Sequence, residues 1–148
     1  MDMDQQQLSM IIERYEEASF VVTRRINAAI RERMSEDLTL EQYAVIRYMR
    51  KRDRCTSSEL ADTFCVGKSS VTAIINRLFD KRLIERLPDE KDRRVTYLRL
   101  TAEGERLSEE MEERIRELLS RYLQHFEKDE ALRFIATYEK LAQVLLEP

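Results

Sequence analysis

The chain has 148 residues, with 26 Lys and Arg against 29 Asp and Glu and a net charge of −3, a length that suits one compact domain and is short for two. With only 2 Gly and 2 Pro, tight turns are scarce, so turn-rich architectures are excluded and long helices with few connections are expected. No apolar run reaches the ~18 residues of a transmembrane helix, 2 Cys and 1 His cannot assemble a Cys/His zinc site, and glycines at 67 and 104 cannot form a phosphate-cradling loop.

The N-terminal MDMDQQQ is acidic and polar, lacking the basic and apolar regions of a signal peptide. Cys55 and Cys65 are too few for a disulfide framework, so a reducing cytoplasm is the expected compartment. From Leu8 to Met34 there is no Gly or Pro, and Leu8, Ile11, Ile12, Tyr15, Ser19, Val22, Ile26, Ala29 and Ile30 recur at spacings of three and four, the pattern of one helix face. Such a helix would run ~40 Å. That is longer than a small domain needs to cover its own core, so part of it is expected to meet another chain.

After a polar break at Ser35-Glu36-Asp37, Thr39-Leu-Glu-Gln42 has the form of a capping box opening a second helix through Tyr43, Ile46 and Met49. That helix ends in the basic cluster Arg50-Lys51-Arg52, with Arg54 just beyond. Thr56-Ser-Ser-Glu59 is a second capping box, opening a short helix with Leu60, Ala61 and Phe64; a turn Cys65-Val66-Gly67 follows. A longer helix is expected from Lys68 to about Lys81, with Val71, Ile74, Ile75 and Leu78 as its apolar set. The period then changes. Leu83–Leu87 and Val95–Leu100 are β-rich, joined by the polar loop Pro88-Asp-Glu-Lys-Asp-Arg-Arg94. Thr101 is placed to cap a helix reaching about Phe126, which would make His125 a partly exposed helix residue. A break near Glu127-Lys128-Asp129 leads to a last helix with Leu132, Ile135, Leu141, Val144 and Leu145.

The near-neutral total hides an asymmetry. From Arg47 to Arg99 there are 14 basic against 8 acidic residues, a net of +6, and the rest of the chain nets −9. The basic third coincides with short helix, three-residue turn, longer helix and hairpin, the order of a winged helix-turn-helix. In that arrangement small Ala61 lets the two helices approach, and Leu60, Val71, Ile74 and Leu78 supply the small core. A glycine is often favoured where Cys65 stands, so Gly67 is expected to relieve the backbone instead. The outward face of the second helix would carry Lys68, Ser69, Ser70, Thr72, Ala73, Asn76 and Arg77, short polar groups and longer donors suited to base edges and phosphates, with helix N–H groups near Lys68 free for a phosphate. The same residues also suit an ordinary solvated face. The loop adds Lys91, Asp92, Arg93 and Arg94, where an arginine can reach a narrow minor groove and Asp92 can aim its fork; an ordinary turn with a surface ion pair is the alternative.

Asp92-x-Arg94-x-x-x-Leu98-x-Leu100-Thr101, followed by Glu103-Gly104 and Leu107, resembles the wing signature of the MarR (multiple antibiotic resistance regulator) family. Ser69-Ser70-Val71-Thr72, Asn76-Arg77-Leu78 and Leu83-Ile84-Glu85-Arg86 resemble its recognition helix and the entry to its wing. The resemblance implies a mainly α fold with a small β-hairpin wing. It further implies dimerisation helices in residues 1–36 and 105–148 around a DNA-binding lobe in 37–104. The function implied is that of a homodimeric transcription regulator, usually a repressor, on a pseudo-palindromic operator in double-stranded DNA. Arg94 would enter the minor groove, with Asp92 positioning it and the Lys68–Arg77 face in the major groove.

Many relatives bind small aromatic effectors between the two parts, and Tyr15, Phe20, Tyr43 and Tyr48 are the candidate lining. A peroxide-sensing branch keeps a cysteine in its first helix, where this chain has none; Cys65 and Cys55 are left as candidates for a different redox response, against a plain reading as small apolar residues. No cofactor or metal, no membrane and no catalytic residue is expected. A helical homodimeric protein–protein adaptor and a thiol-responsive regulator are the alternative functions.

Overall fold

The computed structural model describes residues 2–35 and 37–147; Met1, Glu36 and Pro148 lie outside the described residues, and with Glu36 the middle of the expected break. The order of elements is α1 (Gln5–Arg33), α2 (Leu40–Arg50), α3 (Ser57–Phe64), α4 (Lys68–Asp80), β1 (Ile84–Pro88), β2 (Thr96–Leu100), α5 (Ala102–Leu123) and α6 (Lys128–Leu146). The chain divides into two compact units, residues 1–112 and 113–148, with α5 running from the first into the second. No helix among the described residues is long and apolar enough to cross a membrane.

Local chemistry sets the boundaries. Asp4 caps α1 in a reciprocal box with Gln7, which starts the helix three residues earlier than the apolar pattern alone suggests. Thr39 and Gln42 form the expected box on α2. The buried Gln42 carboxamide oxygen also accepts from Lys81 Nζ at 2.9 Å. One side chain thus caps α2 and ties it to the residue that ends α4. Thr56 caps α3 by accepting from the Glu59 N–H at 3.1 Å. α5 ends at Leu123, so His125 falls in the turn before α6 and is exposed.

The core of the first unit is mainly apolar, with Gln42 and Ser108 as its buried polar residues. Ile46 and Met49 of α2, Leu60 of α3, Val71 and Leu78 of α4, Ile84, Leu98 and Leu100 of the hairpin and Met111 of α5 are all buried. On α4 it is Ile75 that joins Val71 and Leu78 inside, while Ile74 is half-buried. The hairpin is antiparallel, with Ile84 opposite Leu100, Arg86 opposite Leu98 and Pro88 opposite Thr96. Cys55, between α2 and α3, adds a bridge: its N–H donates to Leu98 O at 3.0 Å and its carbonyl accepts from Leu98 N–H at 2.7 Å. The hairpin edge is therefore locked to the helix-turn-helix, through a one-residue strand too short to leave a period-2 pattern.

Two close fits are visible in the backbone. Cys65, the residue after α3, itself takes the left-handed conformation at φ 53°, and Gly67 is an ordinary extended N-cap at φ −70°. The expected relief by Gly67 is thus corrected: Cys65 bears the strain, held by its N–H bonding back to Asp62 O and by Val66 N–H bonding to Ala61 O. Gly104, in the first turn of α5, has the opposite reason to be glycine. A Cβ there would sit 2.1 Å from the Leu83 carbonyl oxygen, which already accepts from Thr101 N–H at 3.0 Å. Gly104→Ala is expected to cost about 1–3 kcal/mol by forcing α5 from the hairpin. It should lower the urea midpoint at unchanged m-value; an unchanged midpoint would mean that α5 moves away freely.

Candidate nucleic-acid interface

α4 presents one face inward through Val71, Ile75 and Leu78, and every residue expected to face outward does so: Lys68, Ser69, Ser70, Thr72, Ala73, Asn76 and Arg77 are exposed. No side chain caps the α4 N-terminus, so first-turn N–H groups stay open to an anion. Thr72 Oγ1 donates to the Lys68 carbonyl at 2.8 Å, so its hydroxyl is committed to the helix. Its methyl group remains for apolar contact with, for example, a thymine methyl.

The loop between the strands is closed by its own backbone: Asp89 N–H donates to Val95 O at 3.0 Å and Val95 N–H to Asp92 O at 3.1 Å. Within it, Asp92 Oδ1 accepts from the Arg94 backbone N–H at 3.0 Å and from Arg94 Nε at 3.2 Å, while Oδ2 accepts from Nη2 at 3.4 Å. These bonds hold the Asp92 carboxyl below the usual carboxylate range, the side-chain bond from Arg94 contributing most. The Arg94 side chain is nevertheless 90% exposed. An arginine both aimed and bare is what shape-reading in a groove requires, because its rotamer freedom is reduced before binding. Lys91 and Arg93 stand exposed beside it.

Not all of the basic third is available. Arg50 pairs with Glu109 at 3.3 Å and with Glu112, so its charge is spent joining α2 to α5. Arg52 lies 3.5 Å from the Tyr48 ring centre and donates to Tyr48 O, and Arg54 lies 4.0 Å from the Tyr97 ring centre. The sequence places Arg54 beside a basic cluster and Arg86 at the entry to the hairpin, but nothing in their spacing signals the partner of either. Arg86 Nη2 donates to Asn76 Oδ1 at 3.2 Å, and its guanidinium covers Phe79 at 4.5 Å.

The aromatic candidates separate. Tyr43 and Tyr48 line an open cleft of about 510 Å³ between α1, α2 and α3, with Asn27, Ile30, Arg47, Lys51 and Phe64. Burial pushes the Tyr43 phenol above its ordinary value, opposed by Arg47. Phe64 meets the Tyr48 ring edge-on at 5.8 Å, and Thr63 donates to the Tyr48 hydroxyl at 3.2 Å. Tyr15 and Phe20 do not line it. They precede Asn27, the first α1 residue of the cleft, by seven residues or more, at least ~10 Å along the helix, and are exposed on α1, Phe20 under Arg24 at 3.9 Å.

The cysteines separate as well. Cys55 is fully buried, and desolvation pushes its thiol up to about 11, a protonated core group of low reactivity at neutral pH. Cys65 is exposed, its Sγ 3.7 Å from Asp62 O. Among the described residues no His/Cys/Asp/Glu group could hold a metal ion.

The sequence model of the MarR family matches residues 38–96, which takes in α2 through the start of β2. The HTH-type transcriptional repressor MdtR of Bacillus subtilis is 35% identical over 108 residues, 73% of this chain and 70% of MdtR. The HTH-type transcriptional regulator FarR of Neisseria gonorrhoeae is 36% identical over 81 residues, so the match spans 55% of this chain and little more than half, 56%, of FarR. Among solved structures, Streptococcus pneumoniae FabT in complex with DNA superposes with a TM-score of 0.79 at 22% identity, over 92% of this chain and 98% of that one. At that identity the likeness is one of fold.

Proposed function

This chain belongs to the MarR family of transcription regulators, and from that premise we propose that it acts as a homodimeric repressor on a pseudo-palindromic duplex operator and is released by a small aromatic effector. The observation that carries the reading is the Asp92–Arg94 pair: a bare guanidinium, pre-aimed by a carboxylate, at the tip of a basic hairpin beside an exposed polar helix face. A surface built only for solvation has no need to fix an arginine that packs against nothing. The reading assigns α4 to the major groove, Arg94 to the minor groove, and Lys91, Arg93 and the α4 N-terminus to phosphates.

Dimerisation is supported in each unit by itself. α1 buries none of its residues, and Ile11, Ile12, Tyr15 and Val22 are about half exposed. α6 buries none either, leaving Leu132, Ile135, Leu141, Val144 and Leu145 in solvent. Apolar faces of this extent mark interaction surfaces. With Arg50 neutralised by α5, the doubled basic lobes would then bring a net of about +10 to the DNA. The cleft supports the effector: aromatic Tyr43, Tyr48 and Phe64 beside the cations Arg47 and Lys51 suit an aromatic anion.

Salt dependence tests the reading. Affinity for labelled duplex, measured by anisotropy across a salt series, should fall log-linearly as counterions are released. An adaptor would show no duplex binding at low salt, and that result would overturn the proposal.

A further inference from the structure

The hairpin and α4 touch through a polar contact outside the core. The register places Ile84 and Arg86 on one face of β1; Ile84 is buried, and two residues on, Arg86 has cleared the core and is exposed. There its guanidinium donates to Asn76 Oδ1 at 3.2 Å and lies 4.5 Å from the Phe79 ring centre. Asn76 and Phe79 are one turn apart on α4, so the stacked ring fixes the plane of the arginine and the arginine fixes the carboxamide. An asparagine free to turn can pair with adenine by donating to N7 and accepting from the N6 amino group. With its carbonyl already accepting from Arg86, Asn76 offers chiefly its two amide N–H donors.

We propose that Arg86 is a positioning residue that sets base preference: it holds the Asn76 carboxamide with its NH2 group outward, so that Asn76 selects acceptor edges such as guanine O6/N7 or thymine O4. The inference rests on the duplex-binding reading above and deepens it. Arg86 touches no base in this account and acts through Asn76.

The test uses the full chain and duplexes selected from a random pool by the wild-type protein. Relative affinities for every single-base-pair variant of the selected site are then measured for wild type, Arg86→Ala, Arg86→Lys, Asn76→Ala and the Arg86→Ala/Asn76→Ala double variant. Both Arg86 variants should lose about tenfold in discrimination at one base pair. That base pair should be the one at which Asn76→Ala loses discrimination, and the double variant should lose no more. Arg86→Lys keeps the charge and the aliphatic stem but not the stacked fork, so it guards against a mere failure to fold. Uniform weakening on all duplexes by Arg86→Ala, restored by Arg86→Lys, would make Arg86 a phosphate contact and overturn the proposal. Loss at a base pair unrelated to Asn76 would overturn it too. A wild-type protein that selects no duplex would overturn the duplex-binding reading itself, which keeps the two failures distinct.

Discussion

Arg94→Ala is expected to weaken operator binding by roughly 1–3 kcal/mol, the usual loss for an arginine that reads a groove. The Arg94 side chain packs against nothing but Asp92 and is 90% exposed, so its removal should leave thermal stability where it was. Fold and binding are thereby separated in one variant. Asp92→Asn should produce a smaller loss: the arginine remains, but the charge-assisted hold on Nε and Nη2 is weakened, and more of the binding energy goes into ordering the side chain. The pH sense follows from the same pair. Because the Asp92 carboxyl lies below its usual range, the hold is fully present above the unfolded carboxylate value and is lost as pH falls through the lowered folded one. Binding titrations at fixed salt check the order wild type, Asp92→Asn, Arg94→Ala. Wild-type affinity in Arg94→Ala would remove the wing from the interface.

A larger effect is expected from charge on the unpartnered helix faces. Ile11 on α1 and Val144 on α6 are 45% and 59% exposed. In a two-fold interface each would be buried twice. Fully burying an aliphatic side chain contributes roughly 1.5–3 kcal/mol; about half of that is left to gain in each copy, so Ile11→Glu or Val144→Glu forfeits about 1.5–3 kcal/mol across the symmetric contact, before the cost of desolvating the carboxylates. The variants should run as monomers in light scattering. Two linked half-site contacts gain about 10²–10⁴ over one, so duplex affinity should fall by a comparable factor while helical content is retained. A monomer that still bound tightly would contradict the dimeric reading.

The sequence was most informative where local chemistry decides. Thr39/Gln42, Thr56 and Thr101 announced three helix starts, because a cap needs only a side chain within three residues of its N–H groups. The Asp92–Arg94 pair was legible for the same reason, two residues on one short loop. What stayed hidden depends on contacts distant in sequence. Cys55 pairs with Leu98, and Arg86 reaches Asn76 only because the β1 register puts it on the face of Ile84. Arg50 looked like part of a basic patch until α5 brought Glu109 and Glu112 against it. Tyr15 and Phe20 share a helix with Asn27 and Ile30, but helical periodicity fixes a face and not the height along it, so their separation from the Tyr43–Tyr48 cleft was not legible. Cys65 shows the limit of composition rules: a glycine two residues away does not relieve a left-handed turn, and here a cysteine carries it.

Hydroxyl-radical footprinting of the wild-type protein on its selected duplex tests the central claim most directly. Two protected tracts related by a dyad, with half-site centres ~34 Å or one helical turn apart, are predicted for two α4 helices and two Arg94 wings held by one dimer; a single asymmetric tract, or no protection at all, would contradict it.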